Sequence, residues 1–225
     1  MTVSIHPIKL GVDCCYVIQG DRTIMIDAGS PRQATRFWKA METLTIDPRS
    51  IRLIVITHGH WDHIGSARDI QEITGAKIAM HHREKDWLEK SMIVLPPGVT
   101  AWGRVFKAIM TLFLPLVRFP ATNVDVVLGD GELFLGDYGI PGKIIYTPGH
   151  SMGSVSVLLE TGDAFVGDLA MNPFPLRLSP GLPIFAEDVQ KVKESWRRLL
   201  DEGAKTVYPA HGKPFAAEVI RRVLL

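Results

Sequence analysis

The chain has few cysteines and almost no excess of charge, and each of these features argues against one class of protein. Cys14 and Cys15 are the only two cysteines among 225 residues. They are adjacent and therefore poorly placed to bridge each other, so we expect buried free thiols in a reducing compartment. Lys and Arg total 25 against 24 Asp and Glu, a net charge of +1. This balance gives no electrostatic reason to expect nucleic acid as a partner.

The chain also lacks long apolar runs. No stretch reaches the ~18 consecutive apolar residues of a membrane span. Residues 1–7 have neither the basic start nor the apolar core of a signal peptide, so we expect a cytoplasmic protein. With 46% hydrophobic residues, the chain is long enough for one substantial core. We expect a single domain over residues 1–225.

Four candidate metal ligands fall within six residues, directly after an apolar run over residues 51–56 that is typical of a buried strand. They are His58, His60, Asp62 and His63. Residues two apart share a face of an extended segment, while residues beyond a turn can point to a neighbouring position. Imidazole and carboxylate are ligands of divalent ions such as Zn²⁺. Chance clustering in a polar loop is the alternative interpretation, but three of the eight histidines lie in this window.

This His-x-His-x-Asp-His pattern resembles the metallo-β-lactamase superfamily of metallohydrolases, which includes glyoxalase II and lactonase-like members. The remaining motifs of that family follow in order, around His150, at Gly167-Asp168 and around His211. The strand and helix patterns by themselves predict a layered α/β domain. The resemblance further implies an αββα sandwich of two mixed, mostly antiparallel sheets flanked by helices, with a metal site at one edge.

The resemblance also implies a role for each candidate ligand. One ion is expected on His58, His60 and His150, a second on Asp62, His63 and His211, with Asp168 bridging both. The expected cofactors are two divalent ions, Zn²⁺ in the first place with Fe or Mn as alternatives. Asp62 is the predicted catalytic residue, which exchanges a proton with the attacking water or the leaving group. Asp27 is implied as an orienting group near the metals, and a plain strand-ending aspartate is the alternative.

Residues 91–121 have no counterpart in the shared pattern and contain an apolar stretch with helical spacing. A surface segment this apolar must be covered by the protein's own core, a second subunit, lipid or an apolar substrate. We expect this hydrophobic helical insertion to form a flap over the metal cleft. Trp102, Phe106 and Phe113 are the predicted substrate-binding residues, with a homodimer interface and a membrane surface as alternatives. A Pro-rich loop over residues 172–183 is expected at the rim.

The predicted function is a binuclear metal-dependent hydrolase that uses a bridging hydroxide on a small-molecule substrate. The expected bond is ester-like, in a thioester, lactone or carboxylic ester, and the substrate is expected to have an apolar or acyl part. A mononuclear-iron persulfide dioxygenase, a phosphodiesterase and a metal-stabilised binding protein are the alternatives. His63, His211 and Asp168 together argue against the one-iron enzyme, because they supply a second complete site.

Overall fold

The computed structural model describes residues 3–172 and 180–225, and within them the strands form two six-stranded sheets. The first sheet keeps its strands in chain order. They are β1 (Ser4–Leu10), β2 (Asp13–Gln19), β3 (Thr23–Ile26), β4 (Ile51–Val55), β5 (Lys77–His81) and β6 (Val126–Leu128). The first three strands pair antiparallel, and β3 to β6 pair parallel. Parallel strands are usually covered on both faces, which agrees with the nearly uniform burial of β4 and β5.

The second sheet contains the later strands in reverse spatial order from its edge. They are β7 (Glu132–Phe134), β8 (Gly142–Tyr146), β9 (Val155–Leu159), β10 (Asp163–Gly167), β11 (Thr206–Pro209) and β12 (Phe215–Ala216). Its pairings are antiparallel apart from the parallel pair β10 and β11. Both sheets are therefore mixed.

Helices flank the two sheets. They are α1 (Ala34–Leu44), α2 (Trp61–Ile64), α3 (Ala67–Thr74), α4 (Lys85–Glu89), α5 (Ala101–Phe113), α6 (Val189–Asp201) and α7 (Glu218–Leu224). Short 3-10 turns occupy Pro48–Ser50, Leu114–Leu116 and Gly136–Tyr138. Among the described helices, none is both long and apolar enough to cross a membrane.

Three hydrophobic clusters fill the spaces between these layers. Side chains alternate along β2 between two of these clusters. Cys15 and Val17 pack toward α1 and α3, whereas Tyr16 and Ile18 pack between the sheets. A third cluster joins the second sheet to α6 and α7, with Trp196 fully buried in it. The layers are thus helix, sheet, sheet and helix, and the predicted αββα sandwich is confirmed.

The start of α1 differs from what the sequence predicts, since Ser30 followed by Pro31 is typical of an N-cap and the first residue of a helix, here through about Thr43. The helix begins at Ala34 after Gln33. Ser30 is instead buried, where its carbonyl accepts a hydrogen bond from the Ser66 hydroxyl at 2.7 Å. Its own hydroxyl accepts from the amide of Val12 at 3.3 Å. Ser30 therefore connects two loops through hydrogen bonds and does not cap the helix.

Candidate metal centre

All seven predicted ligands lie in turns at the ends of strands. His58 and His60 follow β4, Asp62 and His63 lie in the short helix α2, His150 follows β8, Asp168 follows β10 and His211 follows β11. The two sheets bring these turns to one edge of the sandwich. Their ligand atoms form overlapping groups, in each of which the atoms lie within 4.8 Å of one another. These groups are His58 with His60 and His150; Asp62 with His63, His211 and Asp13; and His58 with His63 and Asp168.

The first group consists of three buried imidazoles. The Nδ1 atom of His60 lies 3.0 Å from the Nε2 atom of His150, and the ring centres of His58 and His150 are 4.6 Å apart. Burial lowers the pKa of His58 well below its ordinary value, lowers that of His60 to about 3, and lowers that of His150. All three rings are therefore neutral at neutral pH, which is the form that binds metal.

Asp168 faces both halves of the cluster. Its Oδ1 atom lies 3.4 Å from His211 Nε2 and 3.5 Å from His63 Nε2, and its Oδ2 atom lies 3.7 Å from His150 Nε2. Burial alone would raise the pKa of Asp168, but the positive charges of His211 and His63 outweigh burial and hold it well below its ordinary value. An ionised carboxylate in this position can contact two cations at once.

The buried polar atoms of the cluster test whether metal ions fit. Several of them have no hydrogen-bond partner: Nε2 of His58, His60 and His63, Oδ1 of Asp168, and both carboxylate oxygens of Asp13. Buried polar atoms in folded proteins nearly always have partners, so such a concentration needs an explanation. Imidazole nitrogens and carboxylate oxygens that converge on a common space are donor atoms that fit divalent zinc, iron or manganese.

Asp27 orients the turn that carries the ligands. Its Oδ1 atom accepts a hydrogen bond from the Thr57 amide at 2.8 Å, and its Oδ2 atom accepts from Nδ1 of His63 at 2.9 Å. His63 therefore presents Nε2 to the cluster, and a carboxylate behind an imidazole ligand fixes its tautomer. The backbone of Asp27 is left-handed, with φ of 58°. That conformation is uncommon outside glycine, but aspartate tolerates it better than most residues.

The segment over residues 91–121 contacts the ligand His150 indirectly. The Nδ1 atom of His150 donates to the carbonyl of Phe185 at 2.9 Å. On either side of Phe185, the amide of Val99 donates to the carbonyl of Ile184 at 3.0 Å, and the amide of Ala186 donates to that of Pro97 at 3.1 Å. The insertion thus pairs with the short segment that accepts the hydrogen bond of the predicted ligand His150.

Glu84 is a buried residue of this centre that the sequence interpretation missed. Its carboxylate accepts hydrogen bonds from the amide of Gly59 at 2.6 Å and from that of Gly153 at 2.5 Å. One glycine lies between His58 and His60, and the other lies in the loop of His150. Burial raises the pKa of Glu84, and its hydrogen bonds oppose that shift. In the sequence this residue is one charge among several in a charged segment, so only the fold reveals its role.

Asp13 is the second missed residue. It begins β2, is completely buried, and lies 3.5 Å from Nε2 of His211 through its Oδ1 atom. An acidic residue at the head of an apolar strand was the available signal. Spacing could not connect it to the ligands, because its distance to His211 along the chain is almost the full length of the protein.

A cavity of about 800 Å³ opens onto the centre. Its floor includes His60, Asp62, His150, Asp168 and His211. Leu95, Pro96, Phe106 and Met110 from the insertion line it together with Ile184 and Phe185. Phe106 stacks on Phe185 with ring centres 5.9 Å apart.

The other two predicted substrate residues lie outside the cavity lining. Trp102 and Phe113 are 46% and 56% exposed and do not line this cavity, although they lie four and seven residues from Phe106 and therefore on the same side of α5. Most of the predicted Pro-rich rim, residues 173–179, lies outside the described residues. Met171 and Ile184, on either side of that stretch, line the cavity.

Comparison with known proteins identifies the family. Residues 10–211 match the family described as the Metallo-beta-lactamase superfamily. This chain belongs to the metallo-β-lactamase superfamily. Among solved structures, the archaeal superfamily protein ST1585 from Sulfolobus tokodaii superposes with a TM-score of 0.71. It is 24% identical, and the superposition covers 98% of this chain and 84% of that one. The likeness therefore supports the fold.

Two curated relatives carry hydrolase names. The probable metallo-hydrolase YqgX of Bacillus subtilis is 28% identical over 155 residues, which cover 68% of this chain and 64% of YqgX. The hydroxyacylglutathione hydrolase GloC of Haemophilus influenzae is 26% identical over 190 residues, which cover 78% of this chain and 77% of GloC. The metallo-β-lactamase membership, these relatives and the His/Asp cluster together support the prediction of a metallohydrolase.

Proposed function

We propose that this metallo-β-lactamase superfamily member is a hydrolase with two divalent metal ions, and that it cleaves an ester-like bond. One observation carries the proposal: the chain brings a complete set of seven imidazole and carboxylate ligands to one edge, with Asp168 facing both halves. A one-ion enzyme does not need the second half. Within the ester-like class we place thioesters first, since GloC is named for an acyl conjugate of glutathione, then lactones and carboxylic esters.

The metal ions and the side chains of the protein have separate roles in the proposed reaction. When bound, two divalent cations lower the pKa of a shared water from about 15.7 toward neutrality and polarise the substrate carbonyl. Asp62, with 16% of its side chain exposed and Oδ2 at 3.5 Å from His211 Nε2, is placed to accept a proton from that water and pass it to the leaving group. Asp27 holds the tautomer of His63, and the apolar walls keep bulk water from the reacting carbonyl.

The walls of the cavity also define the proposed substrate. Leu95, Phe106 and Met110 favour an apolar acyl or aromatic group. Lys9 and Lys213 line the same cavity and are both exposed. The substrate that best fits these walls has an apolar part near Phe106 and an anionic group, such as a carboxylate, near the lysines.

Zinc is the proposed metal, because the first half of the centre consists of three neutral imidazoles. Manganese and iron remain the alternatives, since carboxylate oxygens suit them as well. Elemental analysis of protein purified without chelator is expected to give about two ions per chain, the number that this mechanism requires. One iron per chain, with oxygen uptake on glutathione persulfide, would instead support the dioxygenase.

A substrate panel tests the activity directly. Wild-type protein loaded with Zn²⁺ is assayed on an acyl thioester, a lactone, a carboxylic ester and a bis-phosphate diester. We expect turnover of the first three, with the thioester fastest, and its loss in Asp62→Asn while circular dichroism is unchanged. Glu72→Gln, on the exposed side of α3, serves as the matched control. Turnover of the diester alone would indicate a phosphodiesterase, and inactivity on every substrate would favour the metal-stabilised binding protein.

Exposed apolar residues of α5 lead to a separate proposal about assembly. Trp102, Leu112 and Phe113 are 46%, 76% and 56% exposed, and a second copy of the chain is the proposed cover. Sedimentation velocity is expected to show a dimer that Leu112→Glu dissociates. A monomeric wild type that co-sediments with liposomes would support the membrane alternative. The cytoplasmic location also stays a prediction, which cell fractionation can test.

A further inference from the structure

Asp13 carries the inference, because it is a completely buried acid at the metal centre that the family pattern does not include. Both of its carboxylate oxygens are buried, and neither has a hydrogen-bond partner. Its own group of candidate ligands is Asp13, Asp62, His63 and His211, whose ligand atoms lie within 4.8 Å of one another. A buried carboxyl without partners is costly, so its retention in the fold calls for a ligand.

The distances around His211 are the second observation. The Nε2 atom of His211 lies 3.5 Å from Asp13 Oδ1, 3.5 Å from Asp62 Oδ2 and 3.4 Å from Asp168 Oδ1. Bonds of about 2.1 Å from one ion to two ligands at a tetrahedral angle separate the ligand atoms by about 3.4 Å. Asp13 therefore stands in the same relation to His211 as the two aspartates that the family pattern supplies.

We propose that Asp13 is an additional ligand of the second metal ion, beside Asp62, His63, His211 and the bridging Asp168. This inference rests on the binuclear part of the proposed function. It makes the second half of the centre richer in oxygen than the first, where the ligands are three imidazoles and Asp168. The second ion is thus bound by three carboxylates and two imidazoles.

The extra carboxylate changes the charge of the centre and its metal preference. Asp13 brings a further carboxylate next to the two cations, in addition to Asp62, Asp168 and the nearby Asp27. Carboxylate oxygens suit Mn²⁺ well, whereas imidazole nitrogens suit Zn²⁺ and Fe²⁺. Asp13 therefore strengthens binding of the second ion most for Mn²⁺.

Metal binding tests the proposal without reference to turnover. Metal-free wild type, Asp13→Asn, Asp13→Ser and Asp62→Asn are titrated with Zn²⁺ and with Mn²⁺ in the presence of a competing chelator. Bound ions are counted by elemental analysis, and Mn²⁺ pairs are detected by electron paramagnetic resonance. We expect two ions on wild type. In both Asp13 variants we expect one ion at unchanged affinity and the second weakened at least about 10-fold, with a larger loss for Mn²⁺ than for Zn²⁺.

The outcomes separate this inference from the proposed function. If wild type binds only one ion of either metal, the binuclear proposal fails. If wild type binds two ions and Asp62→Asn loses one, while both Asp13 variants keep both at wild-type affinity, the Asp13 inference alone is overturned.

Urea unfolding of the metal-free proteins distinguishes a metal ligand from a residue that only stabilises the fold. If Asp13 has no partner in the absence of metal, the metal-free Asp13→Asn variant should be at least as stable as wild type. Lower metal-free stability in both Asp13 variants would contradict the proposal.

Discussion

Glu84 gives the sharpest test of how this centre is held together. It joins two turns from different sheets, since its two oxygens accept from the amides of Gly59 and Gly153. The perturbation is Glu84→Gln, which keeps the size of the side chain. One oxygen can still accept, but the new NH₂ group faces a backbone N–H that then has no acceptor.

The expected cost follows from these two contacts. Hydrogen bonds to a charged group contribute about 1.5–3 kcal/mol, and a buried unsatisfied donor costs about 1–3 kcal/mol. The glutamine also relieves a desolvation cost, because burial raises the pKa of Glu84 and thus disfavours its charge. We therefore expect a loss of about 2 kcal/mol in the free energy of unfolding. Since the two turns carry His58, His60 and His150, metal affinity should fall by about 10- to 100-fold.

Urea unfolding of metal-free protein and chelator competition of loaded protein measure the two effects separately. Glu72→Gln is the matched control: its side chain is 63% exposed and pairs with Arg68 within one helix, so its effect should stay within about 0.5 kcal/mol. If Glu84→Gln unfolds like Glu72→Gln and keeps both ions at wild-type affinity, the two turns do not depend on Glu84 and the reasoning is wrong.

Three further predictions follow from the same contacts. Asp27→Asn removes the anionic acceptor of His63 Nδ1 and should weaken the second ion by about 10- to 100-fold in chelator competition; unchanged affinity would contradict an orienting role. Phe106→Ala removes part of the cavity wall and should lower kcat/KM for long acyl thioesters by about 10-fold or more relative to short ones. Phe113→Ala, outside the cavity, should leave the chain-length preference unchanged, and equal losses in both variants would count against the wall. If free metal stood at about 1,000 times its Kd, each ion that chelator removes should cost about 4 kcal/mol and lower Tm by about 8–16 °C. An unchanged Tm in calorimetry would contradict tight binding.

Much of the fold could be predicted from the sequence because its elements are strongly patterned. The apolar run over residues 51–56 could only be a strand or a buried helix segment, and its length with the following Gly turn favours the strand β4. The end of α3 at Gly75, which has φ of 69°, follows from the freedom of glycine in a left-handed cap. The start of α1 could not be predicted in this way, because Ser30 found partners in Val12 and Ser66.

The sequence predicts only some residues of the candidate site. His58, His60, Asp62 and His63 could be located because metal ligands at short spacing form a local pattern, whereas the three later ligands could be located only through their resemblance to the family's motifs. Asp13 and Glu84 could not be located from the sequence, because their partners are distant in the chain. The partners of Glu84 are also backbone amides, of Gly59 and Gly153, which no side-chain pattern reveals. The difference between Phe106 and Phe113 was equally hidden, because apolar residues surround most of α5 and the sequence alone does not say which of them face the centre.

The insertion lines the cavity and also contacts the segment that holds the predicted ligand His150, so deleting it would change both. Residues 97 and 99 pair with Ala186 and Ile184, and Phe185 between them accepts the hydrogen bond that orients His150. Deleting residues 91–121 would remove the cavity wall and loosen a metal ligand in one step, so equal loss on all substrates would not distinguish these effects. Side-chain changes at Phe106 leave the backbone pairing intact. Effects on substrate preference and on metal retention can thus be separated only by side-chain substitutions on the cavity wall. If only the carbonyl of Phe185 connects the insertion to His150, such substitutions should change substrate preference without changing metal affinity.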